Sequence, residues 1–205
     1  MSDARPTDAQ PMDPRPADAR THRLHGRAVA VRAAIVLATF AVVGAIAGVV
    51  WEWVWTPPVG IVFQGEWILE PSGPDYDFSG TGWYVVIALG AGLITAAVLG
   101  WVLVAGELTT LASAAVGSVL AGWLMFTVGH TLGPPDPRPL AAAMDDLERL
   151  PSDLRVAGSD PEQSAYSLAG SAFLAFPLGT VIGLSLVWFT TNGRRVREVD
   201  PRSAG

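Results

Sequence analysis

An all-α, four-helix transmembrane bundle, carrying a short external β-hairpin and a short external amphipathic helix, is the fold expected of these 205 residues. Three observations point to it. Half of the residues are hydrophobic and only 16% are charged. Soluble domains carry about 25%, so there is too little charge to clothe a water-soluble globule of this size. The apolar residues are gathered into four long runs, and the arginines all lie outside those runs, ten of the 13 toward the two ends of the chain.

A helix rising about 1.5 Å per residue needs about 20 apolar residues to cross a hydrocarbon core about 30 Å thick. The runs 33–55, 83–105, 108–130 and 168–191 meet that length; Glu52 is the one charge in the first, and the other three hold no carboxylate or arginine. The first run has a rival reading as a cleaved signal peptide, because Ala45-Ile46-Ala47 imitates a processing site behind an arginine-bearing start. Its apolar stretch continues through Val49 and Val50 into a tryptophan cluster, well past a signal core, so a retained helix is expected.

Arg5, Arg15, Arg20, Arg23, Arg27 and Arg32 precede the first run, and Arg194, Arg195, Arg197 and Arg202 follow the fourth, ten of the 13 basic residues. The intervening loops 56–82 and 131–167 are acidic. Basic residues near span ends favour the cytoplasmic side. The expectation is a multi-pass protein of the cell (inner) membrane, with both termini cytoplasmic and both long loops outside. The formal net charge of −6 averages arginine-rich ends with acidic loops.

Residues 1–26 are rich in proline, aspartate, alanine and arginine, with the near-repeat Arg5-Pro6-Thr7-Asp8-Ala9 and Arg15-Pro16-Ala17-Asp18-Ala19. Lacking large apolar side chains, they are expected to be a disordered cytoplasmic tail, with His22 and His25 solvated. Residues 27–192 form the four-span domain and 193–205 a second cytoplasmic tail. In the first loop Pro57-Pro58 stops the helix. Val59 to Glu70, with Gln64-Gly65 at its centre, then reads as a hairpin. Ser72-Gly73-Pro74 and Ser79-Gly80-Thr81-Gly82 read as turns. The second loop opens with the stiff Gly133-Pro134-Pro135-Asp136-Pro137. An amphipathic helix is then expected from Leu140 to Leu150, with Leu140, Met144, Leu147 and Leu150 on one face.

Within lipid, helices associate through close packing of small residues. Four seams at four-residue spacing predict a compact bundle: Gly44-xxx-Gly48, Gly92-xxx-Ala96-xxx-Gly100, Ala114-xxx-Ser118-xxx-Gly122 and Ser171-xxx-Ala175-xxx-Gly179-xxx-Gly183. Pro177, near the middle of the fourth run, is expected to kink it. Trp51, Trp53, Trp55 and Trp83 are expected as interfacial anchors at the outer ends, with Trp101 and Trp188 at the inner ends. Trp123, deeper in its run, reads as a packing residue.

Extending the first and third seams by four residues at a time leads to Glu52 and to His130. Ionisable groups in spans tend to face the interior and pair. Glu52 and His130 are therefore expected to share a polar cluster at the outer end of the bundle, with Tyr84 and Tyr166 from the adjoining ends of the second and fourth spans. Solvation or a structural clasp is the blander reading of this pair.

At Trp53-Val54-Trp55-Thr56-Pro57-Pro58-Val59-Gly60, followed by the strand-like loop, the stretch Asp75 to Phe78 and a second span, the chain resembles an uncharacterised family of small actinobacterial four-helix integral membrane proteins with a domain of unknown function. The resemblance covers most of residues 30–192 and implies a topology but no catalytic residues. The chain has no cysteine, and every basic residue is arginine. Thiolate, disulfide, iron–sulfur, Schiff-base and P-loop chemistry are thereby excluded. No GxSxG, HExxH or paired acidic motif occurs in a span, so no enzyme activity, cofactor or metal is expected. No basic face with interleaved aromatics supports nucleic-acid binding. The expected role is a non-enzymatic membrane protein of the cell envelope that binds or organises a protein partner through its acidic external loops, or forms a homo-oligomer, with the lipid bilayer as its surroundings. The alternative is a small-solute or proton-coupled transporter subunit using the Glu52/His130 cluster. Against it, no carboxylate lies at the midplane of a span.

Overall fold

A computed structural model of the protein describes residues 16–69, 75–102, 107–156 and 171–198. Its elements run α1 (Pro16–Val54), β1 (Val59–Phe63), β2 (Glu66–Leu69), α2 (Asp75–Val102), α3 (Glu107–Leu132), α4 (Pro137–Ala141), β3 (Arg149–Pro151) and α5 (Ala175–Glu198), with a 3₁₀ turn at Ser171–Leu174 leading into α5. Four of the helices, α1, α2, α3 and α5, contain stretches long and apolar enough to cross a membrane. Their outward faces expose Ile35, Val42, Ile46, Val86, Ile94 and Val181. Such a belt is unfavourable in water and well matched to acyl chains.

Helix α1 packs chiefly on α3, and α2 on α5. The two pairs meet around Phe40, Phe126 and Phe176, which with Trp51, Tyr84 and Met125 fill the bundle interior. Small residues let the backbones close. A Cβ added at Gly44 would lie 2.5 Å from the Ala121 carbonyl oxygen, and one at Gly48 2.6 Å from that of Met125. Gly92 stands in the same relation to the carbonyl of Phe176, Gly179 to that of Leu89, and Gly183 to that of Leu93. Gly100 and Gly122 are looser, with nearest neighbours at an ordinary 3.4 Å. Two glycines outside the expected seams are as tightly placed: Phe40 lies over Gly117 and the Trp51 ring over Gly129.

At one end of the bundle residues 59–69 of the first long loop and 137–156 of the second build a single cap. Gln64 and Gly65 adopt φ of 53° and 76°, the left-handed pair that a two-residue hairpin turn requires. Strands β1 and β2 pair antiparallel with Ile61 opposite Ile68 and Phe63 opposite Glu66. The second loop returns as β3 on the other side of β1, with Gly60 opposite Leu150 and Ile61 opposite Arg149, so the sheet order is β2-β1-β3. Trp67 lies across Gly60 and its Nε1 donates to the Leu150 carbonyl at 3.1 Å. Val62, Pro137 and Ala141 are buried beneath the sheet.

Several expectations are corrected. The hairpin forms as read, but the amphipathic helix from Leu140 to Leu150 does not. Asp136 caps a five-residue helix that begins with Pro137 and ends at Ala141. The chain then turns and pairs with β1: Leu147 N donates to Val62 O at 2.8 Å, and Glu148 O accepts from Val62 N at 2.9 Å. The helical spacing is overridden because β1 offers backbone partners to this segment. Leu140 and Leu147 consequently stay exposed.

Helix α1 begins at Pro16, inside the tail expected to be disordered. Proline suits the first helical position, and extending an existing helix avoids the cost of nucleation. Helix α5 likewise runs to Glu198, beyond the boundary expected at 192, and Ser79–Gly82 lies within α2 rather than in a turn. Pro177 sits in the first turn of α5, where its missing N–H costs nothing, so it marks a helix start rather than a mid-helix kink. Trp51 and Trp55 are core residues, whereas Trp53, Trp83, Trp101 and Trp188 are exposed. Trp123 is partly exposed and lines an outward apolar groove with Ala115, Val116, Val119 and Leu120.

Candidate functional site

At the cap end of the bundle lies an aromatic cluster built from four elements. Trp51 of α1 meets the edge of Tyr84 of α2, ring centroids 5.1 Å apart, and lies against Phe126 of α3 at 6.3 Å. Phe173, from the 3₁₀ turn, packs on Tyr84 at 5.6 Å and on Phe126 at 5.3 Å. Buried polar atoms in this cluster find backbone acceptors. Trp51 Nε1 donates to the Gly80 carbonyl and the Tyr84 hydroxyl to the Gly122 carbonyl, each at 2.8 Å. Trp55 Nε1 is buried beside Gly80 without a partner among the described residues.

A strap of extended chain, residues 152–156, closes the cluster from above. Leu154 and Val156 are buried, and Leu154 sits against Gly133 at the end of α3. His130 stacks parallel on Phe126, centroids 5.6 Å apart, and its Nδ1 meets the Leu154 carbonyl at 2.8 Å. A carbonyl can only accept, so this bond assigns the hydrogen to Nδ1. Arg155 braces the strap internally and ties it to the start of α4. Its Nε pairs with Asp153, which is 6% exposed, and its Nη2 lies 2.6 Å from Asp136 Oδ2. Asp136 has a second task, since its Oδ1 accepts from Arg138 N at the start of α4 at 3.1 Å. The guanidinium fork is suited to holding two carboxylates at once.

Of the residues singled out in the sequence, His130 and Tyr84 enter this site, each bonded to a backbone carbonyl. Glu52 is half-buried at the end of α1; among the described residues no hydrogen bond or ion pair joins it to His130. Tyr166 lies outside the described residues. The difference follows from helical geometry. Two steps of four residues drift about 80° around a helix, whereas seven residues return to within about 20°. The face through Gly44 therefore passes through Trp51, not Glu52, and the face through Gly122 passes through Gly129, not His130. Both ionisable residues lie beside the seams.

Arg155, Asp153 and Asp136 were not found by sequence reasoning. Asp153 and Arg155 are two apart in an extended segment, a spacing that places side chains on one side, but nothing local pointed to Asp136. Chemically the arrangement is a clasp: it satisfies the buried donors of Trp51 and Tyr84 and fixes the strap over the bundle. Among the described residues no group of three or more histidines or carboxylates is placed to hold a metal ion. Compared with known proteins, the chain matches no family model, no curated protein and no solved structure.

Proposed function

We propose that the chain is a non-enzymatic, multi-pass protein of the cell membrane that binds or organises an envelope partner through the cap, with the cap outside and both termini in the cytoplasm. The observation that carries this reading is the construction of the cap. Two loops distant in sequence form one sheet, which leaves Val59, Phe63 and Ile68 exposed among the exposed carboxylates Glu66, Asp145, Asp146 and Glu148. An apolar surface with a polar rim is the usual form of an interaction site. Beneath it, the strap and the aromatic cluster fill the bundle, which favours a platform over a conduit. Membership of the actinobacterial family suggested by Trp53 to Gly60 belongs to the same proposal.

The test is site-specific photocrosslinking from Phe63 and Leu147 in intact cells, followed by mass spectrometry. A stoichiometric protein partner is the expected result. Solute uptake by liposomes containing the purified chain alone, with no partner crosslinked, would overturn the proposal in favour of a transporter.

A further inference from the structure

The two edges of the cap sheet differ in a way that bears on the partner. Val62 exchanges both backbone bonds with Leu147 and Glu148. By the alternation of a strand, Ile61 and Phe63 then turn theirs toward Ile68 and Glu66 of β2. The remaining backbone groups of β2, those of Trp67 and Leu69, point away from the sheet, and no further strand lies beside them among the described residues. On the opposite edge the outward positions of β3 are Arg149 and Pro151. A proline has no N–H and a charged side chain discourages pairing, so that edge is blunted. The outward backbone positions of β2, Trp67 and Leu69, carry neither device.

Charge adds a direction. Gln64 N donates to Asp146 Oδ1 at 2.8 Å, which brings Asp146 to the hairpin turn, and Glu66, the first residue of β2 beside that turn, is exposed. Away from the turn β2 offers Ile68, also exposed. We propose that the open edge of β2 takes up an extended peptide segment, apolar along the strand and basic at the end that meets the hairpin turn. Main-chain bonds to Trp67 and Leu69 supply the attachment, and cross-strand contacts to Ile68 and Glu66 supply the choice of sequence. This inference rests on the partner-binding reading of the cap and names the partner's chemistry.

The experiment uses the full chain in lipid nanodiscs and a fluorescent heptapeptide with a valine–isoleucine–valine centre followed by two lysines, read by anisotropy. Saturable binding is expected. It weakens about tenfold when the peptide amides on one side are N-methylated, as the loss of one or two hydrogen bonds requires. It weakens several-fold when the lysines are replaced by glutamates. Leu69→Pro removes an outward N–H without touching the β1 ladder and has the same effect as N-methylation. The peptide arms do not depend on that variant folding. No binding, or equal binding of the methylated peptide, overturns the proposal, as does a chain that dimerises in a Leu69→Pro-sensitive way without taking the peptide. If the peptide fails while crosslinking from the cap still captures a stoichiometric partner, edge pairing falls and the partner-binding reading stands.

Discussion

The helix seams and the cap are held together by opposite means. Between α1 and α3, and between α2 and α5, glycines bring backbones together so closely that a single added carbon would overlap a carbonyl. In the cap, the strap is fixed by Arg155 to Asp136 and by the His130 bond to Leu154, and the chain just before it by strand pairing. The contrast follows the solvent. Where acyl chains surround a helix, apolar side chains gain little by burial, and close packing must hold the pair. Where water reaches the chain, burial and paired charges become available.

That contrast can be broken from either side. The largest effect is expected from Gly179→Leu, which forces a side chain into the Leu89 backbone. Thermal unfolding in detergent should show a loss of about 3 kcal/mol or failure of α2 and α5 to pack. Gly90→Ala is the control, because nothing lies within 4 Å of its Cβ position; it should be neutral or slightly stabilising. A loss at both sites would mean that glycine content, not the crossing, matters. Next comes Arg155→Met, which leaves Asp153 buried without its cation. With Arg155 26% exposed, the cost is set at about 2 kcal/mol, below that of a fully buried pair, and limited proteolysis should cut the cap before the bundle. Tyr84→Phe removes one buried hydrogen bond to a carbonyl that remains in its helix, and about 1 kcal/mol should be lost without change in the cap. Glu52→Gln should be smallest, within about 0.5 kcal/mol; a larger loss would show that Glu52 has a partner and would revive its pairing with His130.

The same contrast explains what could be read in advance. Membrane spans announce themselves by length, and the hairpin by Gln64-Gly65, because both signals are local. Gly44, Gly48, Gly179 and Gly183 lie at crossings, but fixed four-residue steps drift off the buried faces, so they lead past Trp51 to Glu52 and do not point to Gly117 or Gly129. The cap was the least legible part. Strand β3 exists because β1 was already there to pair with it, and the spacing of Leu140, Met144, Leu147 and Leu150 suggested a helix that this pairing excludes. Asp136 and Arg155, 19 residues apart, meet only once the second loop has folded back on itself.

The central claim is that the two loops form one cap on the outer side of the membrane, and the absence of native cysteine permits a direct measurement. Ile61 and Arg149 are opposed across β1 and β3, and Ile61 turns its backbone bonds toward β2. They are thus a non-hydrogen-bonded pair, with Cα atoms about 4.5 Å apart, which suits a disulfide. In intact cells the Ile61→Cys/Arg149→Cys chain should form an intramolecular disulfide that a membrane-impermeant reductant opens from outside. Two free thiols, or a disulfide that resists the reductant until the cells are lysed, would contradict the account.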